Sequence, residues 1–304
     1  MKYLIVDASN FLWRNRFALI GKKFNSTKDM NNFALHVSIN SLNALYNKHK
    51  PDKVVLCFDH GPYWRKEILP TYKGNRQKLS KSGATIGKDP ESMEIFFNQV
   101  GEFSDFIDKC TSIISLRERT IEADDFIARW VQNHPGDEHV IVSSDGDFHQ
   151  LHKHSGVTQW NPMKGGSWVE VEDPAFALFE KCIRGETKPN SDNIPSAFPK
   201  VRIKRLQKAW TDSYEMNAIM LTEVPDITNE GKLTKVKDLY ERNKGLMDLE
   251  LQPQDIKAMM DVVIEDGETN PGSYDMFYFL KYLAAHELYK IADDSDRFTN
   301  LLSS

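Results

Sequence analysis

The 304-residue sequence is poor in cysteine and lacks any long apolar run. Its three cysteines, Cys57, Cys110 and Cys182, are widely spaced and form no CxxC pair, which excludes common zinc motifs and a disulfide framework. No stretch is apolar enough for a membrane span, and the first residues lack the layout of a signal peptide. Repeats, heptads and low-complexity tracts are also missing, which excludes solenoids and coiled coils. These absences predict a cytoplasmic protein without a membrane partner.

The sequence also lacks an overall excess of positive charge. Its 39 lysines and arginines face 44 aspartates and glutamates, for a net charge of −5, which argues against indiscriminate nucleic-acid binding. Two stretches depart from this average, because residues 61–90 carry seven basic and two acidic residues and residues 181–210 carry eight and two. Either stretch alone would most simply be a solvated surface, but basic stretches around an acidic centre suit a polyanionic substrate.

Carboxylates follow several short apolar runs of the kind that form buried strands in a parallel sheet. Asp7 follows the run LIV, Asp59 the run VVLCF, and Asp145 the run VIVSS. Ligands of open α/β sheets bind just outside the carboxyl ends of the strands. If these strands are neighbours, seven carboxylates converge there: Asp7, Asp59, Glu122, Asp124, Asp125, Asp145 and Asp147.

This much negative charge cannot remain ionised at short range without cations. Hard oxygen ligands favour Mg²⁺, with Mn²⁺ as a substitute. Each acid alone is more simply a helix cap or a turn residue, so the prediction depends on the joint pattern. The pattern predicts a metal-dependent phosphoryl-transfer centre with two ions roughly 4 Å apart.

Hydrophobic periodicity predicts an α/β chain with a central, mainly parallel sheet. The predicted helices cover residues 29–48, 91–110 and 122–133. The predicted strands cover residues 4–6, 54–59 and 139–143, with an edge hairpin at 157–161 and 167–171. Residues 61–90 have no clear period and predict a loop or gateway. A boundary near residue 172 divides an α/β unit, 1–172, from a region, 173–304, that is predicted to be helical.

Short motifs occur in one order along residues 1–210: LIVDASN at 4–10, FDHG at 58–61, WRK at 64–66, PTYKGNR at 70–76, EADD at 122–125, SDGD at 144–147, RG at 184–185 and SDNIP at 191–195. With these motifs the chain resembles the flap endonuclease or 5′-nuclease family, especially the phage replication nucleases of the ribonuclease H type. The resemblance implies a PIN-like domain with a helical arch near residues 61–110. It also implies a helix–three-turn–helix-like element in the C-terminal region.

The same resemblance implies roles for individual residues. One metal ion would be held by Asp7, Asp59, Glu122 and Asp124. The second would be supported, directly or through water, by Asp125, Asp145, Asp147 and Asp192. Lys73 and Arg76 would meet the scissile phosphate beneath the arch. Tyr72 would stack on a terminal base, and Lys78 would bind DNA.

Two departures from the family pattern affect the C-terminal region. Glu186 stands where the family has the first aspartate of its second-domain motif, and Asp192, six residues further on, is the better candidate ligand. The family's glycine-rich hairpin is also missing, since residues 196–201 contain no glycine. Duplex binding is therefore expected to depend on four side chains: Lys200, Arg202, Lys204 and Arg205.

The resemblance implies a monomeric, structure-specific 5′-3′ exonuclease or flap endonuclease that removes RNA primers or flaps in phage DNA replication. Its substrates would be DNA with 5′ ends or flaps and RNA–DNA hybrids in the host cytoplasm. A single-stranded-DNA-binding protein or a sliding clamp would be its partner. The alternatives are a PIN-type single-strand ribonuclease and a non-catalytic DNA-structure-binding protein. A haloacid-dehalogenase-like phosphatase would need an acid two residues after Asp7, where Ser9 stands.

Overall fold

A six-stranded sheet forms the centre of the protein in the computed structural model, which describes residues 1–61, 63–74, 90–188 and 191–304. Its strands are β1 (Lys2–Asp7), β2 (Lys53–Cys57), β3 (Ile114–Leu116), β4 (Glu138–Val142), β5 (Val157–Asn161) and β6 (Ser167–Val169). They lie in the order β3-β2-β1-β4-β5-β6, and all pairs are parallel except β5 with β6. Because β1 lies between β2 and β4, the carboxyl ends of these three strands are neighbours, as predicted.

Helices cover both faces of the sheet. Within the described ranges they begin with α1 (Ala8–Phe17), α2 (Thr27–His49), α3 (Arg65–Ile68), α4 (Pro90–Cys110), α5 (Ala123–Asn133), α6 (Pro174–Arg184) and α7 (Ile203–Thr211). The others are α8 (Ser213–Met220), α9 (Val236–Met247), α10 (Gln254–Thr269), α11 (Met276–Ala285), α12 (Tyr289–Ala292) and α13 (Thr299–Leu302). Short 3₁₀ helices lie at Gly146–Lys153, Met163–Gly165 and Ser295–Phe298. Among the described residues, no helix is long and apolar enough to cross a membrane.

Alternate residues of β1 point into two separate hydrophobic cores. Leu4 and Val6 belong to a core that α1, α2, α4 and the last helices, α11 to α13, complete. Tyr3 and Ile5 belong to a second core, on the other face, which α5 and α10 complete. This alternation is the two-residue period of a strand that is buried on both faces. Helices from beyond residue 172 therefore contribute to both cores of the α/β unit.

The C-terminal region is not wholly helical, which corrects the sequence prediction. The strands β7 (Glu223–Asp226) and β8 (Lys232–Lys235) form an antiparallel hairpin there. Each strand has only four residues, which is too short to give a clear period. The turn between them contains two residues in the left-handed conformation, Glu230 and Gly231.

The predicted gateway region is described only in part. Along the chain, helix α3 and the turn after it precede residues 75–89, and α4 follows them. Arg76 and Lys78 fall within 75–89 and so lie outside the described residues. The edge hairpin predicted for β5 and β6 is present.

Candidate metal centre

Three aspartates project from the carboxyl ends of the three central strands, β2, β1 and β4, and backbone N–H groups orient each of them. Asp7 ends β1 and caps α1, accepting a hydrogen bond from the Asn10 N–H at 3.0 Å. Asp59 follows β2 and accepts from the Ala123 N–H, in the first turn of α5, at 2.9 Å. Asp145 follows β4 and accepts from the N–H two residues on, at 3.0 Å. The strand order thus brings together acids from distant parts of the chain.

These carboxylates are close enough to disfavour one another's charge. Burial, then Asp59 and Asp145, raises the pKa of Asp7 to about 8. The pKa of Asp124, on the first turn of α5, is raised well above its ordinary value by burial and then by Asp7, Asp145 and Asp59. A divalent cation among these oxygens would restore the ionised form of each acid. The donor set, made only of carboxylate oxygens, fits a hard cation such as Mg²⁺ or Mn²⁺.

Glu122, the residue before α5, has a pKa that is shifted in the opposite direction. It is 2% exposed and forms ion pairs with Arg65 and Lys73, and it accepts a hydrogen bond from the Tyr72 hydroxyl at 3.0 Å. Burial alone would raise its pKa, but Lys73 and Arg65 outweigh burial and lower the pKa to about 2. Glu122 is therefore an anion that two cations already compensate.

Asp125, a predicted supporter of the second metal ion, binds other side chains of the protein instead. Arg65 donates to both of its oxygens at 2.8 Å, and the Trp64 indole N–H donates to one of them at 3.0 Å. Asp125 also completes a capping box with Glu122 at the start of α5. Because the guanidinium occupies both oxygens, this carboxylate orients Arg65 and the helix start and is not aimed at a cation.

Arg65 is a residue whose role the sequence analysis missed. Its side chain is 3% exposed and bridges Glu122, Asp125 and the carbonyl of Leu246, to which its Nε donates at 2.7 Å. The only sequence signal was its place in the WRK motif, to which no role was assigned. Removing one partner from a buried pair of this kind costs about 3–5 kcal/mol, because a charge is left uncompensated.

A second group of acids lies beside the first. Asp147, Glu186 and Asp192 each offer an oxygen within 4.8 Å of the others, which is compatible with a shared metal ion. Lys181, which the sequence analysis also missed, forms an ion pair with Asp147 and lies 3.3 Å from Glu186. Two backbone hydrogen bonds between Glu186 and Ile194, of 2.7 and 3.0 Å, close the longer loop between them. This closure explains how Asp192, six residues after Glu186, still reaches the group.

The basic and aromatic candidates differ in where the structure places them. Lys73 is 10% exposed and lies between the groups, paired with Glu122 and 3.9 Å from Asp192. The ring of Tyr72 is 2% exposed and presents no face to a base in this conformation, which corrects the expected stacking. The four candidate duplex-binding side chains are exposed at and before the start of α7: Lys200, Arg202, Lys204 and Arg205.

A mainly parallel sheet whose central strands end in converging acids defines an α/β protein with a cluster of carboxylates at the carboxyl edge of the sheet. The sequence model for the "5′-3′ exonuclease, N-terminal resolvase-like domain" matches residues 2–177, which is more than half of the chain. The chain therefore belongs to the 5′-3′ exonuclease and flap endonuclease family, and the resemblance predicted from its motifs is confirmed.

Relatives of known name cover different shares of the chain. It is 27% identical to ribonuclease H of Enterobacteria phage T4 over 259 residues, which cover 81% of each protein. It is 31% identical to the flap endonuclease Xni of Psychromonas ingrahamii over 154 residues, 49% of this chain and 52% of that one. Among solved structures, the T5 5′-exonuclease with bound zinc ions superposes with a TM-score of 0.65 at 20% identity, over 88% of this chain and all of that one. The T5 D15 flap endonuclease in complex with DNA and metal ions gives 0.63 at 21% identity, with the same coverage.

Proposed function

We propose that this protein is a Mg²⁺-dependent, structure-specific 5′-3′ exonuclease and flap endonuclease that hydrolyses phosphodiesters in DNA and RNA–DNA duplexes. The observation that carries the proposal is the convergence of Asp7, Asp59 and Asp145, at the ends of three adjacent strands, with Asp124 on the first turn of α5. Burial and neighbouring carboxylates raise the pKa values of Asp7 and Asp124, and a bound cation would compensate the negative charge of the group. Family membership supports the reaction, and a relative crystallised with DNA and metal ions supports the substrate class.

The carboxylates would hold two ions. Asp7, Asp59, Glu122 and Asp124 would hold one, and Asp145, Asp147 and Asp192 the other, with Glu186 added because it lies in one cluster with Asp147 and Asp192. Two bound Mg²⁺ ions would supply an activated water and charge neutralisation at the departing 3′ oxygen. Asp125 stays in the proposal as an indirect contributor that fixes Arg65 and the start of α5.

Lys73 would place positive charge at the scissile phosphate. Its ammonium already lies between the two acid groups, so an arriving phosphate would meet it there. Arg76, assigned from the sequence, would add a bidentate contact, and Lys78 a further contact to DNA. Tyr72 would serve by holding Glu122 and Asp192 through its hydroxyl.

We extend the proposal to the domain arrangement and the biological role of the protein. Residues 1–172 would be the PIN-like nuclease unit with an arch over residues 61–110, and residues 173–304 would carry a helix–three-turn–helix-like duplex contact. The protein would act as a monomer in the host cytoplasm, removing RNA primers or flaps during phage DNA replication. A single-stranded-DNA-binding protein or a sliding clamp would be its partner there.

A 5′-labelled flap duplex, its RNA–DNA counterpart and single-stranded RNA test this function together. We expect both duplexes to be cut with Mg²⁺ and neither with Ca²⁺ or EDTA. Asp145→Asn should abolish cutting yet leave DNA binding in Ca²⁺ near normal or tighter, since it keeps the shape and removes charge. Cutting of single-stranded RNA alone would favour a ribonuclease, and duplex binding with no cutting in Mg²⁺ or Mn²⁺ would favour a non-catalytic protein.

A further inference from the structure

The turn that carries Lys73 has an unfavourable backbone conformation. Residues 71–74 form a four-residue turn, closed by the hydrogen bond from the Gly74 N–H to the Thr71 carbonyl at 2.9 Å. Lys73, its third residue, has a φ of 55°. A type II turn needs positive φ at that position, where glycine or asparagine is preferred and lysine is strained. Contacts from outside the turn must therefore maintain it.

Those contacts come from residues 192 and 193, in the loop that follows α6. The Lys73 N–H donates to the Asp192 carbonyl at 2.9 Å, and the Asn193 side-chain amide donates to the Thr71 carbonyl at 2.9 Å. The Tyr72 hydroxyl lies 3.0 Å from a carboxylate oxygen of Asp192 and 3.0 Å from one of Glu122, so the two acids share its single proton. We call these three hydrogen bonds, between residues 71–73 and residues 192–193, the clasp.

Asn193 is suited to the clasp in two respects. Its φ is 59°, and asparagine is among the few residues that adopt this left-handed conformation readily. Its amide supplies the N–H that the Thr71 carbonyl accepts. Aspartate could adopt the same backbone but would set an oxygen against that carbonyl, and glycine would keep the backbone but donate nothing. Asn193 belongs to the SDNIP motif, in which the proposed chemistry uses only Asp192.

We propose that Asn193 is a positioning residue for Lys73: by holding the Thr71 carbonyl it maintains the strained turn that aims the Lys73 ammonium between Glu122 and Asp192. The proposal rests on the proposed role of Lys73 at the scissile phosphate. It deepens that role, because a loop of the C-terminal region then sets the position of a catalytic group at the base of the gateway.

Hydrogen exchange of the metal-free protein tests the clasp without any nuclease assay. We expect amides in peptides covering residues 71–74 to exchange at least several-fold faster in Asn193→Gly and Asn193→Asp than in the wild type. Glu230→Gly is the matched control, because it changes another left-handed residue, in the β7–β8 turn, and should leave these peptides unchanged. Unchanged exchange in both Asn193 variants would overturn the proposal.

A double-mutant cycle with Lys73→Ala tests whether Asn193 acts through Lys73. Alanine keeps the Cβ, so this change leaves the strain of the turn in place. We expect Asn193→Gly to lower kcat about tenfold, the size of one lost hydrogen bond, with a smaller change in KM. The double variant should be no slower than Lys73→Ala alone.

Multiplicative losses in the cycle would show that Asn193 acts independently of Lys73 and would refute the positioning role. Asn193→Asp provides a second arm if the glycine variant folds poorly. A wild type that cuts no duplex would contradict the proposed function instead, and the exchange experiment would still decide whether the clasp exists.

Discussion

At the scale of single residues, Asp7 shows how the acid cluster lowers the folding stability of the metal-free protein. It is 4% exposed at the carboxyl end of β1, and Asp59 and Asp145 lie close enough to raise its pKa. A folded-state pKa of about 8, against 3.8 in the unfolded chain, means that the folded metal-free protein binds an extra proton between these values. Folding then becomes less favourable as the pH rises from about 4 to about 8, because ionised Asp7 is disfavoured only in the folded state.

We expect Asp7→Asn to stabilise the metal-free protein at pH 8 and to have little effect at pH 4. Asparagine has no proton to lose, so the variant should lack this part of the pH dependence. Each kcal/mol of unfolding free energy that is regained should raise Tm by about 1.6 °C for a chain of this size. The measurement is thermal unfolding in EDTA from pH 4 to pH 8.

Asp293→Asn, at an exposed position near the end of the chain, is a control for removing one charge in general. A fall in Tm for Asp7→Asn that is equal at both pH values would contradict the pKa argument. Mg²⁺ should stabilise the wild type more at pH 8 than at pH 5, because the cation favours the ionised acids.

We expect Lys73→Ala to reduce turnover more than substrate affinity. The ammonium should meet charge that develops at the scissile phosphate, so its loss affects mainly the transition state. Loss of one such donor commonly costs on the order of 3 kcal/mol. Single-turnover cleavage compared with DNA binding in Ca²⁺ measures both quantities. A raised KM with unchanged kcat would make Lys73 a ground-state contact.

The positions of the acids were easier to predict from the sequence than the side chains that contact them. Asp7, Asp59 and Asp145 were placed correctly at adjacent strand ends because strand ends are readable from local hydrophobicity. Arg65 and Lys181 were missed, since their ion pairs with Glu122 and Asp147 join residues that are far apart in the chain. The burial of the Tyr72 ring was missed for the same reason, because Cys182, Ile194 and Leu246 cover it only after folding.

At the scale of elements, the start of α7 carries a group of exposed positive charges that has no part in the metal centre. Lys200 has a φ of 61°, the conformation that a glycine would otherwise supply just before this helix. Arg205 stacks over the Phe198 ring, with its guanidinium carbon 5.3 Å from the ring centre. The segment is thus ordered without glycine, and its cations are exposed.

We expect replacing Lys200, Arg202, Lys204 and Arg205 together by alanine to weaken duplex binding for all sequences alike. The log–log salt slope should fall by roughly 0.9 for each lost phosphate contact. Cutting of a saturated substrate should change little. Binding in Ca²⁺ across a salt series is the measurement, with Lys281→Ala/Lys290→Ala as a control in the last helices. An unchanged slope would mean that this segment is only a solvated surface.

Elements were predictable where they were long or strongly apolar. The strands β1, β2 and β4 and the helices α2, α4 and α5 all lie within a few residues of their predicted bounds. The strand β3 has three residues, and β7 and β8 have four each, so pairing partners decide their conformation more than their own sequence does.

At the scale of the whole molecule, the C-terminal helices bind the α/β unit from both sides. Tyr282 of α11 stacks on Phe106 of α4 with ring centres 4.3 Å apart. On the other face, Arg129 of α5 donates to both oxygens of Asp261 of α10, at 2.7 and 2.6 Å. The division near residue 172 therefore separates proposed roles, and we do not expect it to separate two folding units.

We expect the metal-free protein to unfold in a single cooperative transition. Both cores include side chains from residues beyond 172, so neither part can lose its structure without exposing the other. Calorimetry should give equal calorimetric and van't Hoff enthalpies. A fragment of residues 1–172 should be insoluble or unfolded. Two resolved transitions, or a stably folded fragment, would contradict this view.

The strand order has a consequence for the protein's synthesis on the ribosome. Strand β1 emerges early but has no partners until β2, and later β4, have been translated. The clasp and the second acid group wait still longer, for Asp192 and Asn193. A nascent chain therefore carries its first acid long before it can assemble a site. If the protein is the nuclease we propose, a truncated or unfinished copy is harmless to the nucleic acid around it, because cutting requires most of the chain to be present and folded.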